Sequence, residues 1–270
     1  MAVLSEVTRW VPETDGERLF MAAYEMAAPC VPVLFGGQAW VVSPEGMTEA
    51  CRLSAAMEIT HRCLNEGVDL YTANPQASVD PMVHRLRLVI GMYQMNEVAL
   101  RVAQVTRLAS LAYINRQLSP SRIKQVHQTE RKFCCWCGNP TLRSKNAPEN
   151  AKATVEHLWP EFLGGNSALE NLAIACSKCN TARQHAFTWA WFSTPAINEK
   201  LDVNGAVPRE VELAIALHRL IKVASGQSPL STVRTTLKAA MRLLNGAIPN
   251  LNLPANRRFT YFEILQNSTE

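Results

Sequence analysis

A mainly α chain with a small α+β insert at its centre is what these 270 residues predict, on three grounds. Apolar residues recur at helical spacing over long stretches, most clearly from Leu86 through Val89, Val98, Val102 and Val105 to Leu108. Two short β-like runs, "ATVEHL" and "NLAIAC", lie together in the middle, joined by about a dozen residues that include Gly164-Gly165. Two Cys-x2-Cys turns bracket those runs, Cys134 with Cys137 and Cys176 with Cys179.

Taken in order, residues 1–30 show no clear pattern, and β-branched residues around Gly36-Gly37 predict a hairpin. Ser43 as cap and Pro44 at the first helical position predict a helix that closes at Gly67. From Asp80 to Leu118 the periodicity predicts one long helix, or two with a break at Gly91. "SPSRIKQVHQTERK" (119–132) reads as a capped basic helix leading into the cysteines. The second β-like run enters a helix at Ser177, so the insert is strand, loop, strand, helix. Two further helices are expected over 207–226 and 228–246, each ending at a glycine, and "NRRFTYFEIL" reads as a short strand or helix. Three segments follow: 1–130, mainly helical and acidic at its start; 131–195, the insert; and 196–270, basic and helical.

The net charge of +4 is unevenly spread. Residues 1–79 carry 4 Lys/Arg against 10 Asp/Glu, residues 80–132 carry 9 against 3, and residues 213–262 carry seven basic residues and no acidic one. Basic segments on both sides of the insert point to a polyanionic partner. Arg234, Lys238 and Arg242 stand four residues apart, which on one helix makes a basic stripe about 12 Å long. Arg116, Arg122, Lys124, Arg131 and Lys132 form a second cluster. No secretory signal and no apolar run of membrane-spanning length is seen, so a cytoplasmic protein with no membrane association is expected.

In that compartment cysteines stay reduced. Cys30, Cys51 and Cys63 read as buried thiols. Cys134, Cys137, Cys176 and Cys179 read as ligands of a structural zinc ion, because each Cys-x2-Cys turn offers two sulfurs at the right bite and two such turns complete a tetrahedron. Cys135, inside the first turn, is not counted as a ligand.

The set of Cys-x2-Cys, Glu156-His157, Gly164-Gly165, Asn171-Leu172 and Cys176-x2-Cys179-Asn180 with Arg183 resembles the zinc-knuckle type of HNH endonuclease, over about residues 131–190. The resemblance implies a ββα-metal module. It implies that His157 is the general base, that Glu156 and Asn180 ligate a catalytic magnesium or manganese ion, that Asn171 braces the loop, and that Arg183 meets a phosphate. The chemistry is consistent: histidine titrates near neutral pH, and one hard cation neutralises charge on a scissile phosphate. Strand neighbours point to opposite faces, so a bend or bulge is expected at Glu156-His157 if both are to reach one site. His185 is a weaker candidate, and His61, His84, His127 and His218 read as structural or surface residues.

The expected function is a metal-dependent endonuclease that nicks or cuts DNA, with Arg183, Arg234, Lys238 and Arg242 contacting nucleic acid. A ribonuclease on structured RNA, a silent zinc-knuckle module that only binds nucleic acid, and a scaffold protein are the alternatives. Analogy with such modules suggests bacterial antiphage defence and an ATPase or sensor partner. The acidic first 79 residues would then restrain the enzyme.

Overall fold

The computed structural model describes residues 10–27, 44–91, 96–183, 209–228 and 232–248, with the backbone alone for 44–51 and 96. The hairpin around Gly36-Gly37, the "NRRFTYFEIL" segment, His185 and the predicted helix beyond Arg183 lie outside the described residues. Among the described residues the chain is mostly helical, with one two-stranded antiparallel sheet. No described helix is long and apolar enough to cross a membrane.

Helix α1 (Asp15–Ala27) starts at a reciprocal cap. Thr14 Oγ1 accepts from the Glu17 amide at 3.1 Å, and Glu17 Oε2 accepts from the Thr14 amide at 2.7 Å. Helix α2 (Pro44–Ala73) is followed by α3 (Asp80–Ile90) and α4 (Asn96–Ile114). The stretch read as one long helix or two is therefore two, and Gly91 caps α3 in the left-handed region at φ 67°. Gly67 does not end α2 as expected. A Cβ there would lie 2.1 Å from Ser110 Oγ, so the glycine allows α2 and α4 to approach closely. Helix α5 (Pro120–Thr129) opens at Ser119, whose hydroxyl accepts from the Arg122 amide, and stops three residues short of the predicted end.

Strands β1 (Ala153–His157) and β2 (Leu172–Cys176) pair antiparallel and lead into α6 (Ser177–Arg183). Helices α7 (Arg209–Ala224) and α8 (Leu237–Leu244) follow. The last helix begins nine residues later than expected. Thr236 caps it by accepting from Ala239 N, and the Thr235 amide donates to Ala224 O, which ties the residue before the cap to the end of α7.

One buried cluster draws on all three segments of the chain. Trp10 stacks on Phe20 at 5.5 Å between ring centroids, and Phe20 meets Trp159 of the insert at 5.0 Å. Leu53 and Met57 of α2, Trp136 of the first knuckle and the apolar residues of α7 complete it. A Cβ on Gly16 would lie 2.3 Å from Leu163 O, so α1 also rests directly on the loop of the insert. The acidic first third is thus not a detachable cover, because it supplies Trp10 and Phe20 to the shared core. Each large aromatic buried there contributes about 2–3 kcal/mol.

His218 sits inside this core on α7, and burial, helped by the charge of Lys222, lowers its pKa to about 3. Its folded pKa lies below its unfolded one, so the unfolded chain binds the proton first. The stability held above pH 6.5 is then lost by up to about 1.4 kcal/mol per pH unit between 6.5 and 3. Urea denaturation of wild type and His218→Phe across that range should show a shallower acid-side loss in the variant; parallel curves would refute this.

Candidate active site and metal centre

The first knuckle forms because Gly138, at φ 73°, turns the chain so that its amide donates to Cys134 O at 2.9 Å. The Cys135 amide donates to Ile174 O at 2.8 Å, which ties the knuckle to β2. Cys176 closes β2 and Cys179 lies on α6, so the four expected ligands come from a turn, a strand end and a helix. Their sulfur atoms all lie within 4.8 Å of one another, with Cys137 and Cys176 at 3.9 Å. A tetrahedron with bonds of about 2.3 Å needs sulfurs about 3.8 Å apart, so the donor set fits zinc. Cys135 is not among the four. A hydrogen bond from Cys179 lowers the Cys134 thiol to about 5, while burial pushes Cys137 up to about 11; metal binding would release the protons these sulfurs share. Arg209, which opens α7, donates to Cys179 Sγ at 2.8 Å and pairs with Glu212. With a divalent ion bound, its cation would offset the excess negative charge of the four thiolates.

The sheet register is unbroken: Glu156 pairs with Ala173 and His157 with Leu172, and Leu158 N continues to Asn171 O at 2.8 Å. The bend expected at Glu156-His157 is absent. The loop is braced after the strand, not within it, so the two side chains point to opposite faces. Thr154 and Glu156 face α6. Val155 and His157 share the other face with Leu172 and Ile174, which pack on Val126 of α5.

On the α6 face Glu156 is buried and ion-paired with Arg183, itself 3% exposed. Arg183 also donates to His157 O and Leu158 O, and its guanidinium lies 4.4 Å from the centre of the Trp136 ring. Burial lowers its pKa to about 9, which leaves it charged at neutral pH. The residue expected to meet a phosphate is instead enclosed, because the strand-end carbonyls and Glu156 absorb its donors. Asn180 donates to Thr154 Oγ1 at 3.0 Å and Val155 O at 2.9 Å, so its carboxamide oxygen is the atom left for a ligand.

A hydrated magnesium or manganese ion does not fit Glu156 as it stands, since the carboxylate is buried and already neutralised.

On the other face His157 is largely enclosed, with Nε2 at 3.1 Å from Ser167 Oγ and 3.6 Å from Glu161 Oε1. Arg116 Nε lies 3.9 Å from that same carboxylate oxygen. Burial, with a smaller part from Arg116, pulls the histidine pKa below its ordinary value, and Glu161 opposes them. Asn171 is buried and closes the intervening loop. Its Oδ1 accepts from Trp159 N at 2.7 Å, and its Nδ2 donates to Trp159 O and Asn166 O.

The basic stripe does not form as expected. Arg234 precedes α8, and Lys238 is turned inward, donating to Leu172 O at 2.9 Å and pairing with Glu130 at 2.8 Å. Arg242 remains exposed, on a cleft of about 720 Å³ that Arg131 and the half-exposed Phe133 also line. Glu161, Ser167 and Arg209 did not stand out in the sequence. Only the four-residue step from His157 to Glu161 hinted at a pair, and Arg116, seen as one of a basic cluster, is brought to His157 by the fold alone.

With this geometry in place, the comparisons are specific on one point. Residues 134–186 match the family model of the HNH endonuclease, so a domain of that family occupies this part of the chain. No curated protein and no solved structure matches.

Where the four cysteines hold zinc, its removal by a chelator should abolish cooperative unfolding of the whole chain, because the knuckle carries Trp136 into the shared core. In Arg209→Ala, zinc release to a chromogenic chelator should be severalfold faster at unchanged stoichiometry. Release at the wild-type rate would remove the charge-compensating role.

Proposed function

We propose that the chain is an endonuclease that hydrolyses phosphodiester bonds, with DNA as substrate, and that His157 is its general base. The observation that carries this is a largely enclosed histidine held by hydrogen bonding within a segment that matches the HNH endonuclease family. In the reaction His157 takes a proton from water as the water oxygen bonds to phosphorus. The bond from phosphorus to the 3′ oxygen then breaks, and the departing oxygen takes a proton from solvent water. The substrate track we favour runs along the cleft of Arg131 and Arg242, where Phe133 offers a ring for base stacking. Residues 131–195 then form the nuclease unit, supported by helices on either side. Its setting in antiphage defence, beside an ATPase or sensor partner, rests on analogy with similar modules.

The cation expected of the family is magnesium or manganese, which supplies charge neutralisation at the phosphate. For Glu156 and Asn180 to hold it, Arg183 must leave Glu156. No step above depends on that rearrangement.

Supercoiled plasmid and a structured RNA, each incubated with purified protein in magnesium, in manganese and in EDTA, test the proposal. Metal-dependent nicking of DNA that falls by about 10²-fold or more in His157→Ala is expected. Equal cleavage by the variant would overturn the role of His157, and cleavage of RNA alone would overturn the substrate. Glu156→Gln should unfold at lower urea if the Arg183 pair is its role; wild-type stability with loss of nicking would make it a metal ligand instead.

A further inference from the structure

The hydrogens around His157 can be counted. A serine hydroxyl carries one hydrogen, and a backbone carbonyl can only accept. Ser167 Oγ lies 2.6 Å from Arg116 O, so its one hydrogen is committed there. The contact between Ser167 Oγ and His157 Nε2, at 3.1 Å, must then take its hydrogen from the ring. A second acceptor agrees: Glu161 Oε1 faces the same nitrogen at 3.6 Å, and a carboxylate favours a proton on the atom it faces.

We infer that Ser167 is a positioning residue that fixes His157 as its Nε2–H tautomer. The Nδ1 lone pair is then the one that accepts the proton of the attacking water. The inference rests on the general-base reading above and deepens it. The anchor of the device is Arg116, which lies outside the segment that matches the HNH family. Its carbonyl is held in place by the end of α4, where the Arg116 amide donates to Tyr113 O at 3.2 Å and its guanidinium donates to the same oxygen at 2.9 Å. The guanidinium also lies 3.8 Å from the centre of the Tyr113 ring. From the other side, Asn166 and Ala168 hold Ser167 in the loop. Asn166 O accepts from Asn171, and Asn166 Oδ1 accepts from the Ala168 amide at 3.2 Å. The turn that follows α4 and the loop within the matched segment therefore meet at one hydroxyl, and that hydroxyl selects which ring nitrogen is basic.

Long-range proton–nitrogen NMR on zinc-loaded, ¹⁵N-histidine-labelled protein at pH 8 tests this, with His157→Gln to assign the signals. Wild type should show His157 protonated at Nε2 alone. Ser167→Ala should show both tautomers in exchange, and Ser167→Thr, which keeps a hydroxyl, should restore the wild-type pattern. Plasmid nicking should fall by about tenfold in Ser167→Ala and recover in Ser167→Thr, within the roughly 10²–10⁴-fold that a positioned base contributes. A wild-type ring protonated at Nδ1, or a tautomer pattern unchanged in Ser167→Ala, would overturn the inference. The Nε2–H form in wild type, lost in Ser167→Ala and restored in Ser167→Thr, would uphold it even if nicking proved indifferent to His157→Gln. That last result would remove the general-base reading alone.

Discussion

Four sulfurs within 4.8 Å of one another are the constraint on which the rest of the insert depends. Two five-residue strands cannot stand alone in water, since an isolated hairpin is at best marginally stable. The cysteine cluster ties the end of β2 and the start of α6 to a turn 39 residues earlier, between Cys137 and Cys176. That turn places Trp136 in the core and gives its Cys135 amide to Ile174 O, so the cysteine cluster and the sheet position each other. With β2 held at Cys176, the register of β1 follows residue by residue, and so does the face on which each side chain stands.

Strict alternation then divides the work of two neighbouring residues. Glu156 turns inward and joins Arg183 in a buried pair. Losing one member of such a pair costs about 3–5 kcal/mol, because the other is left charged without a partner. His157 turns outward to a mixed polar group supplied by the loop and by the end of α4. Arg183 links the two faces through the backbone, since its guanidinium holds the carbonyls of His157 and Leu158. Movement of Arg183 away from Glu156 would therefore also loosen the backbone that carries His157.

Legibility in the sequence followed the range of the interaction. The cysteines were legible because a ligand pair is a local spacing, and the strands because Thr154, Val155 and Ile174 favour extended chain. Thr14-x-x-Glu17 was a readable capping signal that went unread, as its surroundings showed no periodicity. Gly67 misled because a glycine that admits another helix looks the same as one that ends its own. The basic stripe misled because spacing alone does not tell where a helix starts, and Thr236 starts it after Arg234. The surroundings of His157 could not be read at all. Arg116 lies 41 residues before it, and only the packed fold brings that carbonyl to Ser167.

The long distance in sequence also shows what the flanking helices add to the segment that matches the HNH family. Within the insert, the loop after β1 is braced by Asn171, yet Asn171 secures only its two ends. The middle of the loop rests on α1, where Gly16 meets Leu163 and Gly164 with no room for a side chain. Trp159 is fixed by Phe20 and Trp10, and Ser167 by α4. Each of these flanking contacts thus removes freedom from a part of the loop that the cysteine cluster does not reach. A histidine that acts as a general base must be held to within a fraction of an ångström, and for His157 the second half of such a restraint comes from outside the segment that matches the HNH family.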